Sequence, residues 1–350
     1  MIVALALILG LVSVGRGEPL VIAAALDRGA IQPLLDRFAA HHPDIELHYQ
    51  DLSTPQVNRR VRNEDAPPDV VISSAMPAQM RLVNAGYAAR LDSSASRDWP
   101  ASAKWRNSVF GFSFEPVVFA YRSDRLTTET VPTSHDALFR LLNSQALALA
   151  GRIALYDPGQ SEIGYALYQA DAGYTARFWQ LIASLGRAGA APMANTRAML
   201  AGLSSGRFDF AYNLIGSYAR QWAATHPHIR VVVPTDYALV LRRLVFVHAR
   251  APDPNAAQIF VDYLLSPAGQ RVLTTHTPLD GLPRAGSKPA DGNFYPIPID
   301  AGLMAAADPG RRQRFLERWR HEFDSAARNR GRRSTTEADN RPMPSAPKPR

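Results

Sequence analysis

Hydroxyl and amide side chains stand at three places where a short apolar segment gives way to a helical pattern. Ser73-Ser74-Ala75 follows the segment DVVI, Ser161 and Gly164 follow RIALY, and Tyr212-Asn213 stands at the end of FDFAY. The free N–H groups of a helix start, with hydroxyls beside them, attract negative charge. Ser161 suits a helix cap, and Gly164 would allow a close backbone approach. Together the three turns predict a site for a small anion, while each serine alone is as typical of ordinary helix capping.

Four further side chains could contribute to such a site. Asp27 and Arg28 come directly after the apolar segment 20–25, where a guanidinium would attract an anion. Glu115 could accept hydrogen bonds from the hydroxyls of a polyol, and Tyr237 could stack on the face of a sugar. The position of Glu115 is also typical of a charge on a hinge surface. We therefore predict that these residues join the three turns in binding a ligand.

Some segments resemble catalytic or metal-binding motifs, but their context does not suit those roles. Residues 202–206 spell G-x-S-x-G, yet a helical pattern precedes Ser204 and a strand pattern follows it, the reverse of a nucleophile elbow. Residues 281–288 lack the residue order of a phosphate loop. His41 and His42 are adjacent, so their side chains point to opposite sides and make a poor metal pair. We predict no catalytic residue, no metal ligand and no cofactor.

Length, cysteine content and charge exclude several classes of protein. The chain has 350 residues and no cysteine, which suits two domains and excludes disulfides, thiolate metal sites and a thiol nucleophile. The net charge is +8, but residues 327–350 hold seven Arg or Lys against two acidic residues, and residues 18–326 carry only +2. The near-neutral body lacks the basic face that binding to a nucleic-acid backbone requires. We expect no nucleic-acid partner.

Neither end of the chain has the pattern of a folded domain. Residues 2–14 are an unbroken apolar run that is too short to span a bilayer, with small residues after it. They predict a signal peptide over residues 1–17 and export of the protein, although no basic residue precedes the run. A buried first element is the alternative. Residues 327–350 are rich in Pro, Arg and Ser and predict a disordered basic tail.

Between the ends, short apolar segments alternate with amphipathic helical patterns, which is typical of an α/β fold. The polar turns then lie at the carboxyl ends of strands, where open α/β sheets bind ligands. Two long extended segments, near 110–121 and 237–248, flank a self-contained block of alternating strand and helix patterns. This arrangement predicts that residues 18–113 plus 241–326 form a first lobe and residues 114–240 form a second.

The segment PNAAQIFVDYLLSPAGQRVL, at residues 254–273, resembles a signature of bacterial extracellular solute-binding proteins. These are periplasmic components of ABC importers, and the resemblance is to the branch that contains ferric-binding proteins. Segments 68–92, 104–121, 151–167 and 210–219 agree, so the resemblance spans roughly residues 20–275. It implies a type II periplasmic binding fold, in which two α/β lobes joined by two crossing hinge strands close on a ligand. It also implies a periplasmic monomer that serves an inner-membrane ABC permease or a sensor kinase.

The resemblance also bears on the ligand. Ferric-binding members carry two adjacent tyrosines at a strand-to-helix turn of the second lobe and a histidine after the first strand. Here the corresponding positions are Tyr212-Asn213 and Asp27-Arg28, and no two of the 12 tyrosines are adjacent. Members of the family that lack the two adjacent tyrosines and the histidine resemble binders of phosphorylated sugars or phosphoglycerate-like organic acids. We expect a small anionic solute of that kind, with a ferric iron-binding protein and a secreted hydrolase as the alternatives.

Overall fold

Apolar strands and amphipathic helices build two β-sheets in this computed structural model, which describes residues 18–63, 65–144, 149–282 and 293–339. The predicted signal peptide, residues 1–17, lies outside the described residues, as do residues 340–350 of the predicted tail. The strands of the first sheet are β1 (Leu20–Ala25), β2 (Leu47–Asp51), β3 (Val70–Ser73), β4 (Lys104–Trp105), β5 (Val109–Gly111) and β12 (Leu244–Val247). They lie in the order β2-β1-β3-β12-β5-β4.

The second sheet contains the strands β6 (Glu115–Arg122), β7 (Ile153–Tyr156), β8 (Ala191–Met193), β9 (Phe210–Ile215), β10 (Ile229–Val232), β11 (Ala238–Leu241) and β13 (Phe294–Pro296). Six of them lie in the order β13-β11-β6-β9-β7-β8, and β10 pairs with β6. Within the sheets, β1, β2 and β3 run parallel to one another, as do β7, β8 and β9. The carboxyl ends of each set therefore share one edge, where polar turns can converge.

Helices cover the faces of both sheets. Those of the first lobe are α1 (Arg28–His41), α2 (Thr54–Val61), α3 (Met76–Asn84), α4 (Ser94–Asp98), a 3₁₀ turn (Ala101–Ala103), α10 (Pro254–Leu265) and α11 (Pro267–His276). Those of the second are α5 (His135–Ser144), α6 (Glu162–Tyr174), α7 (Phe178–Arg187), α8 (Thr196–Ser204) and α9 (Gly216–Thr225). Two more helices follow, α12 (Ala301–Ala306) and α13 (Pro309–Asp339).

The chain crosses between the sheets where the sequence predicted two long extended segments. Strand β5 leads through residues 112–114 into β6, and β11 leads through Arg242 and Arg243 into β12. Leu244 pairs with Gly111 and with Ser73, so both crossings pass close to the middle of each sheet. The predicted α/β fold of two lobes and two crossing strands is confirmed.

Buried apolar side chains form two clusters, one within the first lobe and one that fills the second lobe and extends onto the first. Ile22, Val70 and Phe110 belong to the core of the first lobe, and Phe119 and Phe210 to that of the second. Strands that are covered on both faces read as continuous apolar runs, which is why segments such as VVIS and FAYNLI form them. Each large apolar side chain buried in this way contributes about 1.5–3 kcal/mol. These cores hold the strand ends in place.

The C-terminal segment departs from the predicted lobe boundary. Strand β13 pairs in parallel with β11 of the second sheet. Helix α13 packs on α7, burying a stripe that includes Phe315, Trp319 and Phe323. The prediction that residues 241–326 all belong to the first lobe is therefore wrong for β13 and α13. The short helix α12, which lies between them, packs on α3 of the first lobe.

Helix α13 also continues into the predicted tail. It extends to Asp339, whereas the sequence predicted disorder from residue 327. Residues 327–339 contain no proline, and the Ala and Arg among them favour a helix. The prolines begin at Pro342, beyond the last described residue.

None of the helices in the described ranges has both the length and the apolar character needed to cross a bilayer.

Candidate ligand site between the two lobes

Two helix starts, one from each lobe, flank the crossing segments. Helix α3 follows β3, the neighbour of β12, and helix α9 follows β9, the neighbour of β6. No side chain among the described residues caps either start, whose N-cap residues are Ala75 and Ile215. At the start of α3, the Met76 N–H donates to the Ser74 carbonyl and Pro77 has no N–H, so the Ala78 N–H is the first-turn donor that remains there. The first turn of α9 contains no proline, and both helix starts keep partial positive charge. This is the arrangement that binds an anion at helix N-termini.

The other helix starts at this edge already have side-chain acceptors. Ser161 Oγ accepts from the N–H of Gly164 at 3.0 Å and caps α6, and Asn195 caps α8. The N–H of Arg28, the first residue of α1, donates to the Asp51 carboxylate at 3.1 Å. The positions free to receive a negative ligand group are thus the starts of α3 and α9.

Arg243 is fully buried on the second crossing segment, directly before Leu244, which pairs with Ser73 at the end of β3. Its Nε is 2.8 Å from Oε1 of Glu115, the first residue after the other crossing. Ser113 donates to Glu115 Oε1 at 2.8 Å, and Ser217, in the first turn of α9, donates to Oε2. Burial lowers the pKa of Arg243, but the charge of Glu115 and the Tyr218 side chain outweigh it and raise that pKa. The guanidinium is therefore charged at all physiological pH values.

Arg243 also joins the two lobes at this point. Its Nη1 donates to the carbonyl of Ala25, at the end of β1, at 3.3 Å, and the guanidinium lies 5.2 Å from the ring of Tyr218 in α9. Tyr49 lies near it, where burial raises the pKa of the Tyr49 phenol and the charge of Arg243 opposes that rise. The base of the site thus contains residues of both lobes and of both crossings.

Two exposed ion pairs connect the lobes at the rim of the site. Arg197 in α8 lies 3.1 Å from Asp27, which follows β1. Arg220 in α9 lies 2.8 Å from Asp280, which follows α11. Each pair holds the lobes together in the arrangement seen here, because its partners belong to different lobes.

Most of the sequence-predicted site residues lie at this interlobe edge. Asp27, Ser73, Ser74 and Ala75 follow strands of the first lobe, and Glu115 is buried beside Arg243. The Nε of Arg28 donates to Gln32 on its own helix at 2.8 Å, and Arg28 is exposed at the start of α1, next to Asp27. Ser73 Oγ accepts from the N–H of Ala75 at 3.2 Å.

The contacts of Gly164 differ from the predicted role. A Cβ placed on Gly164 would lie 2.4 Å from Cβ of Tyr156. The glycine therefore allows α6 to pack on β7, and it serves this packing rather than the approach of a ligand to the backbone.

Three predicted ligand residues point into the second lobe, and the prediction for them is corrected. Tyr212 and Tyr237 donate to the carboxylate of Asp171 at 3.2 and 3.1 Å, and Asn213 donates to it at 2.5 Å. Asp171 is fully buried, and burial raises its pKa. Tyr237 stacks on the ring of His135 at 4.0 Å, so its face is occupied.

The error for Tyr212 and Asn213 comes from the end of the strand. Strand β9 continues to Ile215, three residues beyond the strand end that the sequence indicated, and α9 begins directly after it at Gly216. Ser217 and Tyr218 take the place that the prediction gave to Tyr212 and Asn213. The apolar pair Leu214-Ile215, which extends the strand, is the signal that could have located the turn.

Apart from Arg28, the arginines of this site could not be identified from the sequence. Adjacent residues of an extended segment point to opposite sides, so only one of Arg242 and Arg243 could face the site. Arg242 donates to the carbonyl of Ser102 instead, and burial lowers its pKa to about 10. Arg197 and Arg220 carried no motif, because their partners are far away in the sequence.

Residues 20–276 match the family model of the bacterial extracellular solute-binding proteins. The chain belongs to this family. Solved structures agree. The binding protein is 32% identical to the substrate-binding protein of an ABC transporter from Agrobacterium tumefaciens, with a TM-score of 0.80 over 88% of this chain and 96% of the other. No curated protein matches the sequence significantly.

Two more distant structures share the fold. Iron-bound HitA from Pseudomonas aeruginosa is 18% identical, with a TM-score of 0.70 over 85% of this chain and 99% of the other. AfuA from Actinobacillus pleuropneumoniae, solved with fructose 6-phosphate, is 16% identical, with a TM-score of 0.69 over 87% and 98%. The protein is thus a periplasmic solute-binding protein of ABC transport, and its neighbours include proteins for different ligands.

Proposed function

We propose that the binding protein captures a small anionic solute, a phosphorylated sugar or a phosphoglycerate-like organic acid, between its two lobes. It delivers this solute to an inner-membrane ABC permease or presents it to a sensor kinase. The observation that carries the proposal is the pair of helix starts without a side-chain cap, α3 and α9, which come from different lobes and follow strands that neighbour the two crossings. A phosphate or carboxylate group between them would receive N–H donors from both lobes, which favours the closed arrangement.

The structure of AfuA with fructose 6-phosphate supports a phosphorylated ligand for this fold. Iron-bound HitA supports the alternative, a ferric ion. A ferric ion binds phenolate and carboxylate oxygens. Burial raises the pKa of Tyr49 and of Tyr156, the buried tyrosines near Arg243, so their phenolates are costly to form. Among the described residues, no three His, Asp or Glu side chains are grouped to hold a metal. An organic anion therefore fits the site better than iron.

Capture without chemical turnover is the second part of the proposal. The hydroxyl of Ser204, in the G-x-S-x-G segment, donates to the carbonyl of Leu200 at 3.2 Å and accepts from the indole of Trp222 at 2.7 Å. These contacts hold the end of α8 against α9 and give the serine no basic partner to activate it. Glu115, the other candidate of the hydrolase alternative, is occupied by Arg243 and two serines.

Calorimetry of the purified protein tests the proposal directly. The panel contains fructose 6-phosphate, 3-phosphoglycerate, the unphosphorylated sugar, citrate and Fe(III)-citrate. We expect affinity in the micromolar range or tighter for a phosphorylated or carboxylated compound, no product after prolonged incubation, and the same affinity in Ser204→Ala. Tight binding of iron with a tyrosinate absorption band, and none of the organic anions, would favour the ferric alternative. Hydrolysis that is lost in Ser204→Ala would favour the hydrolase.

A further inference from the structure

A second basic region lies outside the interlobe site, on the outer face of the second lobe. Helix α13 presents Arg311, Arg314 and Arg318 along one side of a groove of about 440 Å³. All three arginines are exposed, and their spacing of three and four residues puts them on one helix face. The groove is therefore lined by three positive charges in a row.

Within the described ranges, none of the three groove arginines forms a salt bridge. Among the described residues that line the groove, none is an aspartate or a glutamate. The neighbouring Arg312 differs, because its guanidinium lies 3.3 Å from Glu162 on the body of the lobe. Asp308, close by, accepts from the backbone N–H of Arg311 and caps the start of α13. The three groove arginines thus keep donors and charge for a ligand.

Aromatic side chains form the other parts of the groove. The guanidinium of Arg318 lies 4.1 Å from the centre of the Trp179 ring, a distance typical of a cation–π contact. Phe315, buried between the arginines on α13, packs on the same tryptophan at 5.1 Å. A half-exposed tryptophan beside arginines is a combination that suits the boundary between water and a bilayer.

The rest of the C-terminal region carries the same charge. Residues 309–350 contain twelve Arg and Lys against five Asp and Glu, a net charge of +7 out of +8 for the whole chain. Helix α13 continues along the same direction to Asp339. A protein that transfers its solute to an importer works beside a membrane, and a basic surface of this kind is attracted to anionic headgroups.

We propose that the groove formed by Arg311, Arg314, Arg318 and Trp179 binds the phosphate group of an anionic phospholipid, and that the second lobe rests on the membrane surface through it. Guanidinium groups bind phosphate oxygens with two parallel hydrogen bonds, which makes three of them a fitting site. The interlobe site stays free in this arrangement, because the groove involves none of its residues.

Co-sedimentation with lipid vesicles tests this proposal on the full mature chain. The vesicles contain either phosphatidylcholine alone or phosphatidylcholine mixed with phosphatidylglycerol. The variant is the triple substitution Arg311→Gln, Arg314→Gln and Arg318→Gln. The matched control is Arg59→Gln, Arg90→Gln and Arg271→Gln, which removes three exposed arginines of the first lobe and the same net charge. Thermal unfolding of both variants establishes that they are folded.

We expect the wild type and the control to bind the anionic vesicles, and the groove variant to bind them at least about tenfold more weakly. Equal binding by the two triple variants would overturn the proposal, because the attraction would then be a general charge effect. No binding of the wild type to anionic vesicles would also overturn it. Calorimetry with glycerol 1-phosphate distinguishes a lipid headgroup from a free phosphate ester as the ligand of the groove. Binding of this soluble compound in the groove, without vesicle binding, would assign the groove to a free phosphate ester.

Discussion

Arg243 and Glu115 form an ion pair between the two segments that connect the lobes, with Nε of the arginine 2.8 Å from Oε1 of the glutamate and neither side chain exposed. Because each crossing contributes one partner, the pair fixes the two segments against each other at the base of the interlobe site. The two charges offset one another there. Attraction for an anion then comes from the starts of α3 and α9 and from Arg28, because Arg197 and Arg220 are paired with Asp27 and Asp280.

Breaking this pair should cost much stability. Glu115→Gln keeps the size of the side chain but leaves the Arg243 guanidinium buried without a compensating charge, which costs about 3–5 kcal/mol. Urea unfolding measures the difference. Asp92→Asn is the control, because its ion pair with Arg97 is exposed and contributes less than about 1 kcal/mol. A loss for Glu115→Gln as small as that of the control would show that the pair is not the anchor of the crossings.

The rim ion pairs should bias the lobes toward closure. In the double variant Arg197→Gln and Arg220→Gln, both contacts between the lobes are lost, and each contributes roughly 0–1 kcal/mol. We expect a larger radius of gyration without ligand by small-angle scattering, and a similar change in the wild type at about 1 M NaCl. The control is Arg97→Gln with Arg177→Gln, which breaks pairs within one lobe. Identical scattering from all three proteins would contradict the role of these pairs.

The stability of the second lobe should fall in acid through Asp236. Burial raises the pKa of this carboxyl, but the hydrogen bond and charge of His135 and the N–H of Tyr237 outweigh it and lower the pKa to about 2. A carboxyl group whose pKa is lowered by folding stabilises the folded state at pH values above its ordinary pKa near 4. This contribution is lost as the pH falls toward 2. The wild type should therefore exceed Asp236→Asn by about 1 kcal/mol near neutral pH, and this difference should shrink below about pH 3.

Urea unfolding at several pH values measures this difference, since other carboxyl groups titrate equally in both proteins. Asp98→Asn, at an exposed position in α4, is the control. A difference between wild type and Asp236→Asn that does not change with pH would contradict the assignment.

Two glycines of α6 should respond in opposite ways to alanine. A Cβ at Gly164 would lie 2.4 Å from Cβ of Tyr156, so α6 and β7 must move apart, at a cost of about 1–3 kcal/mol. Gly173 has open space around it, and alanine there should raise stability by up to about 1 kcal/mol. Thermal unfolding compares them. Equal melting temperatures would show that Gly164 is not a packing position.

The two-lobe fold could be predicted because its signals are local. Apolar strands alternate with amphipathic helices, and the long extended segments mark the crossings. The lobe to which α13 belongs could not be predicted, because the stripe of Phe315, Trp319 and Phe323 shows that a face is buried but not what covers it.

The site was predicted only in part, for a similar reason. The turn at Ser73-Ser74-Ala75 comes at the end of a short apolar strand, so its position could be predicted. In β9, the polar residue Asn213 interrupts the apolar pattern and has a positive φ of 57°. The sequence therefore suggested that the strand ends before Asn213, although it continues to Ile215. The pairing of Arg243 with Glu115, 128 residues apart, depends on the meeting of the two crossings, which no local pattern contains.

Reversing a single positive charge beside the interlobe site tests whether the lobes close on an anion. Arg28→Glu reverses an exposed charge at the start of α1, next to Asp27 of the interlobe ion pair, and Arg59→Glu makes the same change at an exposed position near the end of α2. The dissociation constants of both variants for fructose 6-phosphate, 3-phosphoglycerate and Fe(III)-citrate are measured by calorimetry. If the site holds an organic anion, Arg28→Glu binds its phosphorylated ligand about tenfold or more weakly than the wild type, and Arg59→Glu binds it equally well. Unchanged or tighter binding by Arg28→Glu would contradict the proposal that the lobes close on an anion.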